Sequence, residues 1–199
     1  MKKHIAVLSN SQACSEHAKN KLIQRTKMYE QIITPISVCV EVGVHIGDNA
    51  RLILQYRPKH LYLVDWWRHP NKHGIDWLTL YQQAYTVCRN YPYNTTVIRG
   101  DSLEVAKQFP DEYFDVVYID AEHKSPEFDQ DIKAWFPKVK IDGYFCGDDY
   151  IRYPKHKYTV IEVIDKFIKE NSKSIEIVYS DEEKIFGLGG QYCFKKLNA

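Results

Sequence analysis

Val38-Cys39-Val40-Glu41-Val42-Gly43-Val44-His45-Ile46-Gly47 decides how the rest of this chain is read. Val38–Val42 is a short, largely apolar run rich in valine, the pattern of a buried strand. Gly43 follows at once, where a chain must turn tightly and where a ligand can approach the backbone. Gly47 stands where the next helix would begin. The spacing is G-x-x-x-G, and Glu41 precedes it. A dinucleotide site favours G-x-G-x-x-G, with a helix N-terminus turned towards a pyrophosphate. A carboxylate ahead of the turn suits a nucleoside-type ligand that carries positive charge.

Working outward, apolar runs recur and each closes at an acidic residue. Leu61–Val64 precedes Asp65, Thr96–Ile98 leads to Gly100-Asp101, Asp115–Ile119 precedes Asp120, and Gly143–Cys146 leads to Gly147-Asp148-Asp149. Helical patterns lie between them, at Asn49–Tyr56, Trp77–Asn90, Leu103–Gln108, Pro126–Phe136 and Thr159–Lys169, with a further helix from about Ser15 to Ile33. Ser125-Pro126 reads as a helix start, with Ser125 as N-cap. Ser174–Tyr179 and Gln191–Lys195 read as a C-terminal antiparallel hairpin. Alternating strands and helices predict an α/β fold, a mostly parallel sheet covered on both faces. The expected organisation is one domain over residues 1–199, with a helical segment at 1–37 and a Rossmann-like core at 38–199. In such sheets ligands bind beyond the carboxyl ends of the strands. The acidic residues all fall there and should share one rim.

The bulk numbers narrow the function. The chain has 199 residues, 44% of them hydrophobic, enough for one real core. A net charge of +1 argues against a nucleic-acid binder that works mainly through charge. No run of apolar residues is long enough for a membrane span or a signal-peptide core. Five scattered cysteines without a CxxC pair read as reduced thiols in a cytoplasmic protein, with no zinc site. The tyrosine-rich surface (15 Tyr) is compatible with a homo-oligomer.

Each acidic residue has two readings. Asp65, about 20 residues past the glycine turn, can accept hydrogen bonds from ribose hydroxyls or cap a loop. Asp101 can accept from an adenine amino group, and Asp101 or Ser102 can cap the helix that follows. Trp66 and Trp67 can lie against a ligand or pack in the core. A sulfonium nucleoside, S-adenosylmethionine, would meet such an acidic, phosphate-free site.

EVGVHIG (41–47), LYLVD (61–65), IRGDS (98–102), FDVVYID (114–120) and GYFCGDD (143–149) fall in the order of the class I S-adenosylmethionine-dependent methyltransferase motifs, and the chain resembles that family from Val38 to Phe194. The resemblance implies a seven-stranded sheet of order 3-2-1-4-5-7-6. It implies that Glu41, Gly43 and Gly47 hold the methionine end of the cofactor, Asp65 the ribose, and Asp101 with Ser102 the adenine edge. Trp66 joins this cofactor set. YID-x-x-H followed by GDDY further resembles the metal-dependent sugar O-methyltransferases of the macrocin type and, more distantly, catechol O-methyltransferase. That likeness implies a Mg²⁺ or other divalent cation held by Asp120, Asp148 and Asp149. Hard carboxylate oxygens suit such an ion, and three of them would repel one another without positive charge nearby. His123, three residues after Asp120, is the expected proton acceptor, with Lys124 in reserve.

The resulting expectation is O-methylation of a small hydroxylated acceptor, assisted by a divalent metal. The competing readings are a metal-independent methyltransferase of the same fold, a non-catalytic module that binds S-adenosylmethionine, and a nicotinamide oxidoreductase, the last disfavoured by the glycine spacing. The basic loop Arg68–Gly74 and the segment Arg152–Tyr158 are candidate rim elements.

Overall fold

The computed structural model describes residues 16–68, 74, 76–91, 94–150, 159–180 and 190–198. Seven strands form one sheet: β1 Val38–Val42, β2 His60–Asp65, β3 Thr95–Arg99, β4 Phe114–Ile119, β5 Val139–Gly147, β6 Ile175–Ser180 and β7 Tyr192–Lys196. Their order is β3-β2-β1-β4-β5-β7-β6. The first five strands pair in parallel, and β7 runs antiparallel between β5 and β6. Both the expected order and the antiparallel C-terminal pair are therefore present. The helices are α1 Glu16–Ile32, α2 Asp48–Gln55, α3 Trp77–Arg89, α4 Ser102–Ala106, α5 Glu127–Trp135 and α6 Val160–Glu170.

Strand alternation divides the core in two. Cys39, Leu61, Leu63, Val116 and Tyr118 face α1, α2 and α3, which contribute Met28, Tyr29, Ile53, Leu54, Ala84 and Val87. Val40, Val42, Val64, Val117 and Ile119 face α4, α5 and α6, which contribute Val105, Phe128, Ile132, Trp135 and Ile164. Each fully buried side chain of this size stabilises the fold by roughly 1.5–3 kcal/mol. α1 thus contributes a layer of the core. No helix among the described residues is long and apolar enough to cross a membrane.

The sheet order reverses direction at β1, which has β2 on one side and β4 on the other. Ligand crevices form at such points. Backbone hydrogen bonds tie the exits of neighbouring strands together here. Gly43 N donates to Val64 O at 2.8 Å, Asp120 N to Val42 O at 2.7 Å, Gly100 N to Asp65 O at 3.0 Å and Asp148 N to Ile119 O at 3.3 Å. The acidic strand ends therefore stand in one row.

Two local expectations are corrected. β5 begins at Val139 and not Gly143. Lys140-Ile141-Asp142-Gly143 looks like a turn because Asp142 adopts a left-handed φ of 63°. The chain instead stays in the sheet through an irregularity, where pairing shifts between Phe114 and Val116. Ser125 is not the N-cap of α5. Pro126 holds that position without a side-chain bond, and Ser125 N donates to Thr159 Oγ1 at 2.8 Å. Glu127 and Asp129 supply negative charge to the first turn in its place.

Candidate functional site

The turn after β1 is built by glycine and held by Asp65. Gly43 has φ 88°, and a Cβ there would lie 2.2 Å from Asp120 O, so only glycine lets the two strand exits meet. Gly47, at φ 86°, opens α2. Asp65 Oδ2 accepts from Val44 N at 2.8 Å and His45 N at 2.9 Å, while Oδ1 accepts from Trp67 N at 2.8 Å. Trp67 Nε1 donates to His45 O at 2.8 Å, and the buried indole packs edge-on against Tyr81. Asp65 therefore clamps the glycine turn while its carboxylate also lines the cavity beyond it.

That cavity has a volume of about 510 Å³, within the range of small-ligand sites. Its described wall carries six carboxyl groups, those of Asp65, Asp101, Asp120, Glu122, Glu127 and Asp131, against the single guanidinium of Arg68. Gly43, Trp66 and Ser102 line it as well. Trp66 is half exposed, with Arg68 4.6 Å above its ring. Asp101 caps α4, its Oδ1 accepting from Leu103 N at 3.0 Å and Glu104 N at 3.2 Å. Ser102 Oγ bonds the buried Asp131 carboxyl. Burial, opposed by the Ser102 bond and reinforced by Asp101 and Glu122, pushes Asp131 up to about 6. Asp131 and its neighbour Gln130 escaped the sequence reading, because a lone acid on an amphipathic helix looks like a solvated position.

Glu41 does not line the cavity. Strand alternation turns it under α1, where it is 1% exposed and accepts from Asn49 Nδ2 at 3.2 Å through Oε1. Its Oε2 has no hydrogen-bond partner among the described residues. Burial and the nearby Asp120 push its carboxyl well above the ordinary range, opposed by Arg25 and the Asn49 hydrogen bond. Gly47 likewise stands behind the turn, packed towards Ala84 and Val87 of α3.

Asp120 joins the cavity to a second cluster. His123 Nε2 lies 3.1 Å from Asp149 Oδ2 and 3.4 Å from Asp120 Oδ1. Burial opposes the charge on this imidazole. The hydrogen bond to Asp120 and the charges of Asp149, Asp120 and Asp148 outweigh it, so its pKa is raised above 6.5. Glu122 is exposed and accepts from its neighbour's amide, His123 N, at 2.9 Å, and Lys124 is exposed.

The cations of α1 were not foreseen. Lys21 Nζ lies 2.5 Å from Asp148 Oδ2 and 2.9 Å from Asp149 Oδ1. Arg25 Nη2 lies 2.9 Å from Asp120 Oδ2 and 2.6 Å from Asp148 Oδ2. Gln191 Nε2 donates to Asp148 Oδ1, and Tyr118 OH donates to Gln191 Oε1 at 2.8 Å. Burial pushes the Asp148 carboxyl up while Arg25 and Lys21 pull it down.

These contacts test the expected metal set. Asp120, His123 and Asp149 offer ligand atoms within 4.8 Å of one another. Asp148 is not in that group, and Gln191, Lys21 and Arg25 contact its two oxygens. Every oxygen of the three carboxylates already faces a nitrogen. An octahedral Mg²⁺, which needs open oxygen ligands, does not fit this arrangement. In this structure Asp120, Asp148 and Asp149 form a charge-paired cluster with Lys21, Arg25 and His123.

Of the rim elements, Arg68 and Gly74 are described, while residues 69–73 and 152–158 lie outside the described residues. Cys39, Cys88, Cys146 and Cys193 are buried free thiols.

A sheet of this order, with an acidic cavity beyond β1 and β4, defines a Rossmann-like methyltransferase fold. Residues 40–150 match the methyltransferase domain family, and the chain belongs to it. Among solved structures, it resembles a Clostridium thermocellum protein assigned as an rRNA methylase (TM-score 0.68, 11% identity, covering 90% of this chain and 97% of that one). It also resembles a Streptococcus mutans protein assigned as a methyltransferase and solved with SAH (TM-score 0.63, 11% identity, 89% and 98% covered). A third is a Staphylococcus aureus protein assigned as a caffeoyl-CoA O-methyltransferase (TM-score 0.60, 15% identity, 88% and 82% covered). At these identities the likeness is one of fold. Among curated proteins none matches this chain.

Proposed function

We propose that this chain transfers a methyl group from S-adenosylmethionine to a hydroxyl oxygen of a small acceptor. The observation that carries the reading is the double place of Asp120, which lines the acidic cavity and also contacts His123. A donor pocket and a proton acceptor therefore share one residue.

The six carboxyl groups of the wall attract a cationic ligand and repel a pyrophosphate. Asp65 and Trp66 stand at the ribose side of the proposed pose, and Asp101, Ser102 and Asp131 at the base side. Gly43 lines the cavity at the turn and lets Asp120 stand beside it. When bound, S-adenosylmethionine supplies an electrophilic methyl on a sulfonium. His123 takes the proton of the acceptor hydroxyl as the oxygen attacks, and Asp120 and Asp149 stabilise the imidazolium that results. No step requires a metal ion.

Titration calorimetry with S-adenosylmethionine and NAD side by side tests the donor. A screen of hydroxylated acceptors, read by SAH formation, tests the transfer, with His123→Ala as control. Binding of NAD in preference to S-adenosylmethionine sinks the proposal. Binding of S-adenosylmethionine without turnover on any acceptor reduces the chain to a cofactor-binding module.

A further inference from the structure

The cluster beside the cavity contains more charge than a proton transfer uses. Asp120, Asp148 and Asp149 stand at two adjacent strand exits, and Asp148 and Asp149 are buried. Three like charges are held together at such a site only when opposite charge is supplied next to them. α1 supplies it. Lys21 and Arg25 are four residues apart and so project from one face of the helix. Tyr29, four residues further on, anchors that face by donating to Asn49 Oδ1 at 2.9 Å, with its ring buried in the core. The packing that docks α1 on the sheet also places its two cations.

We infer that Lys21 and Arg25 stand where a divalent cation would otherwise be needed, so that this chain works without a metal and α1 completes the acceptor end of the site. Two observations carry the inference. All six oxygens of the three carboxylates face nitrogen atoms of Lys21, Arg25, His123 or Gln191. An ion entering at Asp120 Oδ2, Asp148 Oδ2 or Asp149 Oδ1 would therefore have to expel an ammonium or a guanidinium already in contact, and one entering between Asp120 Oδ1 and Asp149 Oδ2 would meet His123 there. Lys21 keeps part of its side chain open to solvent, at 23% exposure. Its ammonium supplies positive charge beside Asp149, which also contacts His123, as a metal would. The word acceptor rests on the methyl-transfer reading above, whereas the electrostatic replacement does not.

Thermal unfolding of the full chain with millimolar Mg²⁺, Mn²⁺ or EDTA tests the replacement without any substrate. The wild type is expected to shift by less than about 1 °C with either ion, since nothing binds. Lys21→Met leaves Asp148 and Asp149 short of positive charge. Its Tm is expected to fall by about 4–10 °C and to be at least half restored by Mg²⁺ or Mn²⁺. Lys21→Arg keeps the charge and should behave like the wild type. If Lys21→Met does not fold, Lys21→Gln takes its place in the same comparison. A saturable stabilisation of the wild type by Mg²⁺ or Mn²⁺ overturns the inference, as does a neutral variant that is indifferent to both ions. Calorimetry with S-adenosylmethionine on the same samples separates the two readings. Failure to bind it removes the methyl-transfer reading and leaves the ion measurements standing. Turnover that EDTA abolishes and Mg²⁺ restores overturns the replacement and leaves methyl transfer standing.

Discussion

Arg25 Nη2 lies 2.6 Å from Asp148 Oδ2, across 123 positions of sequence, and the two side chains are 14% and 1% exposed. A pair this enclosed costs more when broken than it contributes when formed. Asp148→Asn is expected to destabilise the chain by about 3–5 kcal/mol in urea unfolding, because Arg25 then keeps a buried charge with less compensation. Arg25→Met combined with Asp148→Leu should recover part of that loss, giving a coupling energy of about 1 kcal/mol or more. A purely additive pair would mean that the contact does not hold α1 to the sheet.

Gly43→Ala is expected to abolish binding of S-adenosylmethionine and to destabilise the fold. The new methyl group would stand 2.2 Å from Asp120 O at a φ of 88°. The left-handed backbone alone costs roughly 1–2 kcal/mol for a residue with a Cβ, and the clash lies against backbone, which cannot rotate away. Chemical denaturation and cofactor calorimetry on one preparation check both effects. An alanine variant with wild-type stability would contradict the meeting of the two strand exits.

Methyl transfer should show an acidic limb set by His123. A proton acceptor works in its neutral form, and the fold favours the charged form, raising the pKa above 6.5. The rate is therefore expected to rise with pH through an apparent pKa above 6.5 and to level off beyond it. His123→Ala should lose about 10²–10⁴-fold in rate and the limb with it. A pH–rate profile of SAH formation, compared between wild type and variant, checks this. A limb that survives in the variant would assign the base elsewhere.

Asp131 makes stability fall as pH rises. Its carboxyl is buried, and its folded pKa is about 6 against an ordinary 3.8. The folded state thus binds more protons than the unfolded state between these values. The penalty is absent below about 4, grows through that window and is full above about 6, where it reaches at most about 3 kcal/mol. Asp131→Asn, which keeps an acceptor for Ser102, is expected to stabilise the chain at pH 8 by about 1–3 kcal/mol and to make no difference near pH 4. Unfolding curves for both proteins across that range decide it.

Much of this was legible in the residues. Each apolar run that closes on an acid became a parallel strand, and the acids reached one rim because parallel strands put all their C-terminal ends at the same edge. Asp65 was found by its spacing from Gly43, since one βαβ unit brings those two positions together. Its bonds to Val44, His45 and Trp67 were not legible, because they depend on the path of the turn. The burial of Glu41 was not legible for a related reason. Its position in the motif is clear, but the face it presents follows from which helix covers each side of the sheet.

The sequence by itself determined the order of strands and helices, the two-sided core, and the acidic, glycine-turned edge. These follow from local periodicity and from rules of connection that act between neighbouring elements. Only the tertiary structure decided what balances the carboxylates. Lys21 and Arg25 belong to a helix whose charges read as a solvated face, and Asp120, Asp148 and Asp149 lie 95 to 128 positions away. No local preference encodes that meeting. It exists because the apolar stripe of α1, with Met28, Tyr29 and Ile32, is buried on the sheet, and burying it there brings the cations to the acids.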